Sequence, residues 1–280
     1  DAPAGIHGLG LFAVPRLNSA GDLNFRIRRL KDKIATRSVA TGEIGLEGSQ
    51  AHALGDPGQG IYLIMEVLNV SRVANSVASV ALLQRALAET REFARERVVF
   101  GQPLIEQPLF RNQFDDWCGR LDAAAALAWA AARELDGVWR ETPPYSRRYH
   151  RFRLLAHLAK YWTADRAVTA ARWAIEAHGG NGLIIDYGVE RLLREALVLS
   201  VWEGTPHRQM LDGLGVMARE GVHEDLIAWL GEPDGADRQR AAIEALLARP
   251  RAEREAEVAP VFRAFAEWTA ICLTATSANQ

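Results

Sequence analysis

A change in periodicity near residue 56 constrains the fold of this 280-residue chain more than any other feature. From Gly58 onward, apolar residues recur every three or four positions along the chain. The first of them are Ile61, Ile64, Met65 and Leu68. This spacing places apolar side chains on one face of an α-helix. The sequence therefore predicts that most of the chain is helical.

Glycine and proline divide the helical region into segments. Three long helices are predicted, and two shorter ones follow them. The long helices cover about 61–97, 109–140 and 151–178, and the shorter ones cover 188–200 and 206–219. Long helices that are joined by short breaks favour an antiparallel bundle.

The residues before the change have the opposite pattern. Short β-type runs at 9–15, 24–30 and 43–46 alternate with turns, and glycines interrupt them repeatedly. Such runs predict an antiparallel meander that is too small to close a sheet by itself.

The last sixty residues differ again, because acidic residues outnumber basic ones there. Helices are predicted at 225–230, 236–247 and 252–273, and we interpret this extension as a packing or oligomerisation element. The predicted organisation is therefore a β-rich part at 1–56, a helical bundle at 57–219 and an acidic helical extension at 220–280.

Composition excludes several classes of protein. A net charge of -2 argues against a dedicated nucleic-acid binder. No apolar run approaches the roughly 20 residues that cross a bilayer. Cys118 and Cys272 are the only cysteines, which fits a reducing, cytoplasmic setting. The seven histidines show no metal-ligand spacing, so no metal site is expected. Because residue 1 is not methionine, we expect that an N-terminal part is missing.

The segment Trp202-Glu203-Gly204-Thr205 is the strongest candidate for chemistry. It places a carboxylate on a short turn after the helical run at 190–200, between an indole and a glycine that allows unusual backbone angles. One interpretation is an acid that is held at the rim of a cavity to act as a base. The other is an ordinary helix C-terminus.

Two further segments suit an anionic or aromatic ligand. Arg97 lies at the end of the first long helix, where it suits either the helix dipole or an anion clamp, and Phe100 offers a flat face. Gly179 and Gly180 form either a helix C-cap or a place where backbone approaches a ligand. Their pattern is not Gly-x-Gly-x-x-Gly after a strand, so a Rossmann site is not supported.

Arg72 lies midway along the first long helix among apolar neighbours. It is either a surface residue whose charged end reaches water or a residue that holds a catalytic carboxylate in place.

Taken together, these segments resemble the acyl-CoA dehydrogenase family, in the family's order and at about its spacing. The resemblance covers residues 1 to about 219, which look like the end of the family's middle β-domain and its C-terminal helical domain. The stretch from Arg97 to Arg111 is most similar to the branch that includes the bacterial alkylation-response flavoprotein. The matching motifs are Arg97-x-x-Phe100-Gly101, His178-Gly179-Gly180-Asn181-Gly182, Arg191-x-x-Arg194-Glu195 and Trp202-Glu203-Gly204-Thr205.

The resemblance implies an oxidoreductase of fatty acid metabolism that converts an acyl-CoA thioester to its trans-2-enoyl product. A carboxylate takes the α-proton while the β-hydrogen leaves as hydride to the flavin N5 of FAD. Glu203 matches the position of this base, and Arg72 would orient it. Some branches place the base just before this arginine, where the present chain has Ser71.

The resemblance also assigns the FAD contacts. Arg97 and Phe100 match positions that reach the FAD of a neighbouring subunit, which implies a homodimer or homotetramer. Gly179 and Gly180 match a loop at the adenosine end, and Thr205 matches a contact on the flavin side. An electron-transfer flavoprotein is the implied electron acceptor.

Trp202 and Gly204 are expected to line the substrate pocket, and Trp202, which replaces a commoner tyrosine, would narrow it. Two further departures from the family concern FAD. Glu176 and His207 stand where many members have glutamine, and a carboxylate at 176 would repel a pyrophosphate.

The alternative function is a non-catalytic or DNA-protective flavoprotein that uses the same fold for binding. That function requires a basic face, and the acidic extension argues against one.

Overall fold

A computed structural model describes residues 4–277, which belong to two compact units, residues 1–70 and 71–280. The first unit holds two small antiparallel sheets. Strand β1 (Leu11–Ala13) pairs with β4 (His52–Leu54), and β2 (Arg26–Leu30) pairs with β3 (Gly42–Gly45). The antiparallel character is therefore confirmed, but the predicted meander is wrong because the first strand pairs with the last.

The buried side chain of Asn24 explains this nested pairing. Its Nδ2 donates hydrogen bonds to the carbonyls of Pro15, at 2.9 Å, and Gln50, at 2.7 Å. The Gln50 amide donates back to Asn24 Oδ1 at 2.8 Å. These bonds hold the end of the β1 segment beside the start of the β4 segment, and a buried amide that satisfies three groups at once fixes that arrangement.

Eight α-helices account for most of residues 4–277, so the predicted mostly α fold is confirmed. A short β-hairpin separates the first two helices. Its two strands, β5 (Val98–Val99) and β6 (Gln102–Pro103), have two residues each and were not predicted from the sequence. The helices are α1 (Gly60–Glu96), α2 (Pro108–Val138), α3 (Arg147–His178), α4 (Val189–Val201), α5 (Pro206–Glu220), α6 (Val222–Trp229), α7 (Ala236–Leu247) and α8 (Arg251–Ser277).

Helix α3 lies at the centre of the second unit and packs against α2, α4, α5, α6 and α8. Every residue from Leu154 to Ala164 is buried, so this stretch has no solvent-facing side. A helix that is surrounded in this way normally carries apolar residues all round. Here the buried stretch includes His157 and Lys160, whose polar groups must find partners inside the protein.

The predicted extension at 220–280 belongs to the same compact unit as the bundle. Helix α8 packs against α2, α3, α5 and α7, and its Phe262 and Phe265 are fully buried. Gly213 of α5 leaves room for Phe262, since an added Cβ would lie 2.4 Å from the ring.

The segment Arg251–Thr276 is long and apolar enough to cross a membrane, a property that core helices share. In this structure 44% of its most apolar window is buried.

Candidate functional site

Residues 202–205, which we call the Glu203 turn, connect α4 to α5 through an unusual backbone. Glu203 has a φ of 60° and Gly204 a φ of 101°, so two consecutive residues lie in the left-handed region. Glycine adopts this region readily, whereas any other residue is strained there by about 1–2 kcal/mol. Such strain persists only where the surroundings over-determine the backbone.

Buried side chains from two helices hold the carbonyl of Glu203. Arg72 of α1 donates from Nε at 3.3 Å, and Gln209 of α5 donates from Nε2 at 2.9 Å. The same Gln209 nitrogen lies 3.0 Å from the carbonyl oxygen of Gly204. These bonds supply the surroundings that the strained backbone requires.

Lys160 of α3 adds a third buried donor to the turn. Its Nζ lies 2.6 Å from the carbonyl oxygen of Gly204 and 2.9 Å from that of Ser200 in the last turn of α4. Burial, followed by the nearby charge of Arg72, lowers the pKa of Lys160 to about 8, and the charge of Glu203 opposes this shift. The ammonium form therefore predominates at neutral pH.

Gln209 is itself oriented by a buried histidine. His157 Nδ1 lies 2.8 Å from Gln209 Oε1, and since the amide oxygen only accepts, the histidine nitrogen donates. Burial lowers the pKa of His157 to about 3, so the ring is neutral at physiological pH. The histidine thereby fixes which end of the Gln209 amide faces the turn.

Arg72 is only 2% exposed, so its side chain lies inside the protein and does not reach water. Its Nη2 lies 3.4 Å from Asp212 Oδ2, and Asp212 also accepts hydrogen bonds from Arg208. Burial lowers the pKa of Arg72, and the charge of Asp212 offsets part of that effect. Of the two interpretations of Arg72, the structure agrees with a residue that supports the Glu203 turn.

The remaining predicted residues of the turn differ in what they contact. Trp202 is 45% exposed, and Thr205 begins α5 without a side-chain capping bond. Gly204 is tightly surrounded, because an added Cβ would lie 2.8 Å from Gln209 Nε2. The position therefore requires glycine both for its φ and for space.

The other predicted residues form a second region, which we call the Arg97 surface and define as Arg97, Phe100, Gly179 and Gly180. Arg97 and the two glycines line one cavity of about 300 Å³. No atom lies within 4 Å of an ideal Cβ at either glycine, so their backbone is open to a ligand.

Phe100 is fully exposed at the tip of the β5–β6 hairpin. It has a φ of 50°, and Gly101 has a φ of 85°, as in the two-residue hairpin turns that normally contain asparagine and glycine. Its ring lines an adjoining cavity of about 400 Å³, to which Trp173 and Glu176 also contribute. The hairpin thus presents an apolar ring beside the Arg97 cavity.

Glu176 contributes to both cavities, and its charge is partly offset. Arg172 Nη2 and Nε lie 2.9 and 3.1 Å from Glu176 Oε1. The repulsion of a pyrophosphate that the sequence analysis expects from Glu176 is therefore reduced by an arginine one helical turn earlier.

Arg72 and the Glu203 turn were predicted from the sequence, whereas the supporting residues Lys160 and Gln209 were not. A signal for Lys160 existed, since it interrupts the apolar run from Leu154 to Trp162 in the middle of a long helix. Gln209 lies only five or six residues after the carbonyls that it bonds, but its amide is oriented by His157, 52 residues earlier, which the sequence does not indicate.

Within residues 4–277 no three histidine, cysteine or acidic side chains are grouped to hold a metal ion. Cys118 and Cys272 are free, half-buried thiols, and burial raises the pKa of both.

The chain is similar in sequence to known proteins. Residues 58–217 match the model of the acyl-CoA dehydrogenase C-terminal domain. The chain is 33% identical over 219 residues to acyl-CoA dehydrogenase family member 11 of Caenorhabditis elegans, which covers 78% of this chain and 35% of that protein. It is also 33% identical over 240 residues to AidB of Escherichia coli K12, which covers 82% of this chain and 42% of that protein.

Two solved structures are similar over nearly the whole chain. The apo form of Bd2924 has a TM-score of 0.91 at 28% identity and covers 99% of this chain and 55% of that one. The Caenorhabditis elegans ACDH-11 complex with C11-CoA has a TM-score of 0.78 at 27% identity and covers 96% and 49%. The chain thus spans between about a third and somewhat more than half of the proteins that it matches.

Proposed function

The chain belongs to the acyl-CoA dehydrogenase family, and from that membership we propose that it carries the catalytic base and part of the FAD site of an acyl-CoA dehydrogenase. Members of this family bind FAD. The proposed reaction is the α,β-dehydrogenation of an acyl-CoA thioester to a trans-2-enoyl-CoA. Because the chain spans only part of its relatives, we propose this activity for the intact protein.

The observation that carries the proposal is the support of the Glu203 turn by buried donors. The backbone carbonyl of Glu203 is held by Arg72 and Gln209, while the residue itself is only half-buried, so its side chain extends from a fixed turn and is still accessible. A positioned general base typically contributes about 10²- to 10⁴-fold to a rate. In this role Glu203 accepts the α-proton of the thioester.

Two buried cations, Arg72 and Lys160, lie close to Glu203. Burial lowers the pKa of both Arg72 and Lys160, and the negative charge of Glu203 opposes part of that shift in each. Arg72 and Lys160 hold backbone carbonyls of the turn at the same time. The strained backbone that carries Glu203 is therefore held by two cationic side chains.

The Arg97 surface fits part of an FAD molecule. Its two glycines leave backbone open to a ligand, Arg97 offers a cation for a phosphate, and Phe100 offers an exposed aromatic face. We assign Thr205 to the flavin side, beside the base. FAD held by these residues would supply the acceptor for the hydride that leaves the β-carbon.

We further propose that the protein is a homodimer or homotetramer in the cytoplasm and passes electrons to an electron-transfer flavoprotein. The helical unit exposes large apolar side chains that a second copy could cover. Among them, Phe100, Leu183 and Ile185 are 100%, 73% and 76% exposed. The solved complex of ACDH-11 with C11-CoA supports an acyl-CoA as the ligand.

An anaerobic titration of the intact protein tests the proposed function. Short, branched and long acyl-CoAs are added while the visible absorbance of the flavin is followed. We expect one chain class to bleach the flavin band. If Trp202 lines and narrows the substrate pocket, as proposed, long straight chains should be disfavoured. A flavin spectrum that no acyl-CoA bleaches would contradict dehydrogenation and favour the DNA-protective binding function.

A further inference from the structure

Lys160 is a fully buried charged side chain, only 1% exposed, to which the proposed reaction assigns no step of its own. It lies in the middle of α3, and its neighbours Ala159 and Tyr161 are buried as well. Moving an ammonium out of water is costly unless protein groups replace its hydration. The groups that replace it therefore indicate what the lysine does.

Those groups are two backbone carbonyls on either side of Glu203. Lys160 Nζ lies 2.9 Å from the carbonyl oxygen of Ser200, at the end of α4, and 2.6 Å from that of Gly204. One ammonium thus connects the end of a helix to the strained turn that follows it. The charge of Glu203 also opposes the lowering of the Lys160 pKa.

Gln209 has a more local reach than Lys160. Gln209 bonds the carbonyls of Glu203 and Gly204, both within the turn. Lys160 also bonds Ser200, and so fixes the turn relative to α4. A shift of the turn against α4 would move the carboxylate even if the bonds within the turn remained.

We propose that Lys160 is a positioning residue for the Glu203 base, which acts by joining the carbonyls of Ser200 and Gly204 and so fixing the left-handed turn. Its importance for the base rests on the proposed function. Its effect on the turn does not, and can be measured separately.

The surroundings of Lys160 set the pH range in which this bridge is charged. Arg72 faces it from α1 and Glu203 from the turn, and Asp212 of α5 pairs with Arg72. On α3 itself, His157 is neutral at physiological pH. With its pKa lowered to about 8, Lys160 bridges the two carbonyls as an ammonium at neutral pH and loses that charge in alkaline solution.

The test compares Lys160→Met with Thr163→Val in the intact protein. Thr163 is a matched control, because it is equally buried on α3 but donates only to Ala159 of its own helix. Amide hydrogen exchange at residues 202–205 reports on the turn, and kcat and KM report on the base.

In Lys160→Met we expect exchange at the turn to accelerate while the rest of α3 and α4 stays protected. We expect kcat to fall about 10²-fold, as for other small misplacements of reacting groups, with KM changed by less than about threefold. In Thr163→Val, turn exchange and kcat should match the parent.

Unchanged exchange at the turn in a folded Lys160→Met variant would overturn the proposal, as would a parallel loss of kcat, flavin content and thermal stability. A Glu203→Gln variant measured alongside separates the two claims. If it keeps its turnover, the proposed base is wrong, whereas faster exchange in Lys160→Met still establishes the bridge.

If Lys160→Met does not fold, Lys160→Arg keeps the test decisive. Arginine retains the charge and the donors, and it stays protonated at alkaline pH. The decline of parental kcat above about pH 8 should therefore move to higher pH in this variant. An alkaline decline at the same pH in both proteins would overturn the proposal.

Discussion

The Glu203 turn and the Arg97 surface both follow helices and both contain residues with positive φ, yet they are held in opposite ways. At the turn, buried donors from α1, α3 and α5 bond the backbone of Glu203 and Gly204. At the Arg97 surface, Phe100 is fully exposed and the glycines have open space around them. An unusual backbone angle alone therefore does not identify a rigid site.

The difference shows what each region requires for function. The turn is positioned by this chain itself, because buried donors bond the carbonyls of its strained backbone without any ligand. The Arg97 surface offers groups that a ligand or a second subunit would order. Changes at the turn should therefore alter stability and turnover, and changes at the surface should alter binding alone.

The largest expected effect is a loss of stability at low pH that is caused by the buried His157. Its pKa is lowered from 6.5 to about 3 in the folded protein, so the unfolded chain binds the proton more readily. The free energy of unfolding therefore has its full value above pH 6.5 and decreases as the pH falls towards 3. The decrease is about 1.4 kcal/mol for each pH unit, or up to about 5 kcal/mol in total. Chemical denaturation at several pH values measures it.

His157→Asn is the control for that measurement, because the amide can still donate to Gln209 but does not titrate. The free energy of unfolding should depend less on pH in this variant than in the parent between pH 3 and 6.5. Equal slopes in the two proteins would show that His157 is not buried in its neutral form.

Gly204→Ala and Gly180→Ala compare the two regions directly. Gly204→Ala places a Cβ 2.8 Å from Gln209 Nε2 at a φ of 101°, so we expect a loss of about 1–3 kcal/mol in the free energy of unfolding and a large loss of kcat. Gly180→Ala meets open space and should leave stability nearly unchanged. Equal destabilisation by both substitutions would contradict the contrast between the regions.

The smallest expected effect on stability belongs to Arg97→Ala. Arg97 is exposed and lines the open cavity, so its removal should leave the unfolding transition unchanged. We expect FAD affinity to fall by about 10- to 150-fold, since a charge-assisted contact to phosphate is worth about 1.5–3 kcal/mol. Flavin released on dilution or gel filtration measures the loss, and flavin content equal to the parent's would remove Arg97 from the FAD site.

Much of this fold could be predicted because the relevant information is local. The stops at Gly101–Pro103, Pro143-Pro144 and Gly179-Gly180 lie within a few residues of the observed helix ends. The pairing of β1 with β4 could not be predicted, because it depends on Asn24 bonding two distant carbonyls.

Part of the candidate site could also be predicted from the sequence, and part could not. Glu203 and Gly204 stand out in the sequence because a carboxylate and a glycine follow a helix. The partners that hold them come from other helices, 131 residues away for Arg72 and 44 for Lys160. Only the packing of α1, α3 and α5 brings those donors to one turn.

The most direct test of the central claim, that a fixed Glu203 is the base, is the anaerobic acyl-CoA titration repeated with Glu203→Gln. The substitution keeps the size of the side chain and removes its charge and basicity. We predict parental flavin content and acyl-CoA binding, with the rate of flavin bleaching lowered by about 10²- to 10⁴-fold. Bleaching at the parental rate, or loss of flavin and ligand binding together with turnover, would contradict the assignment.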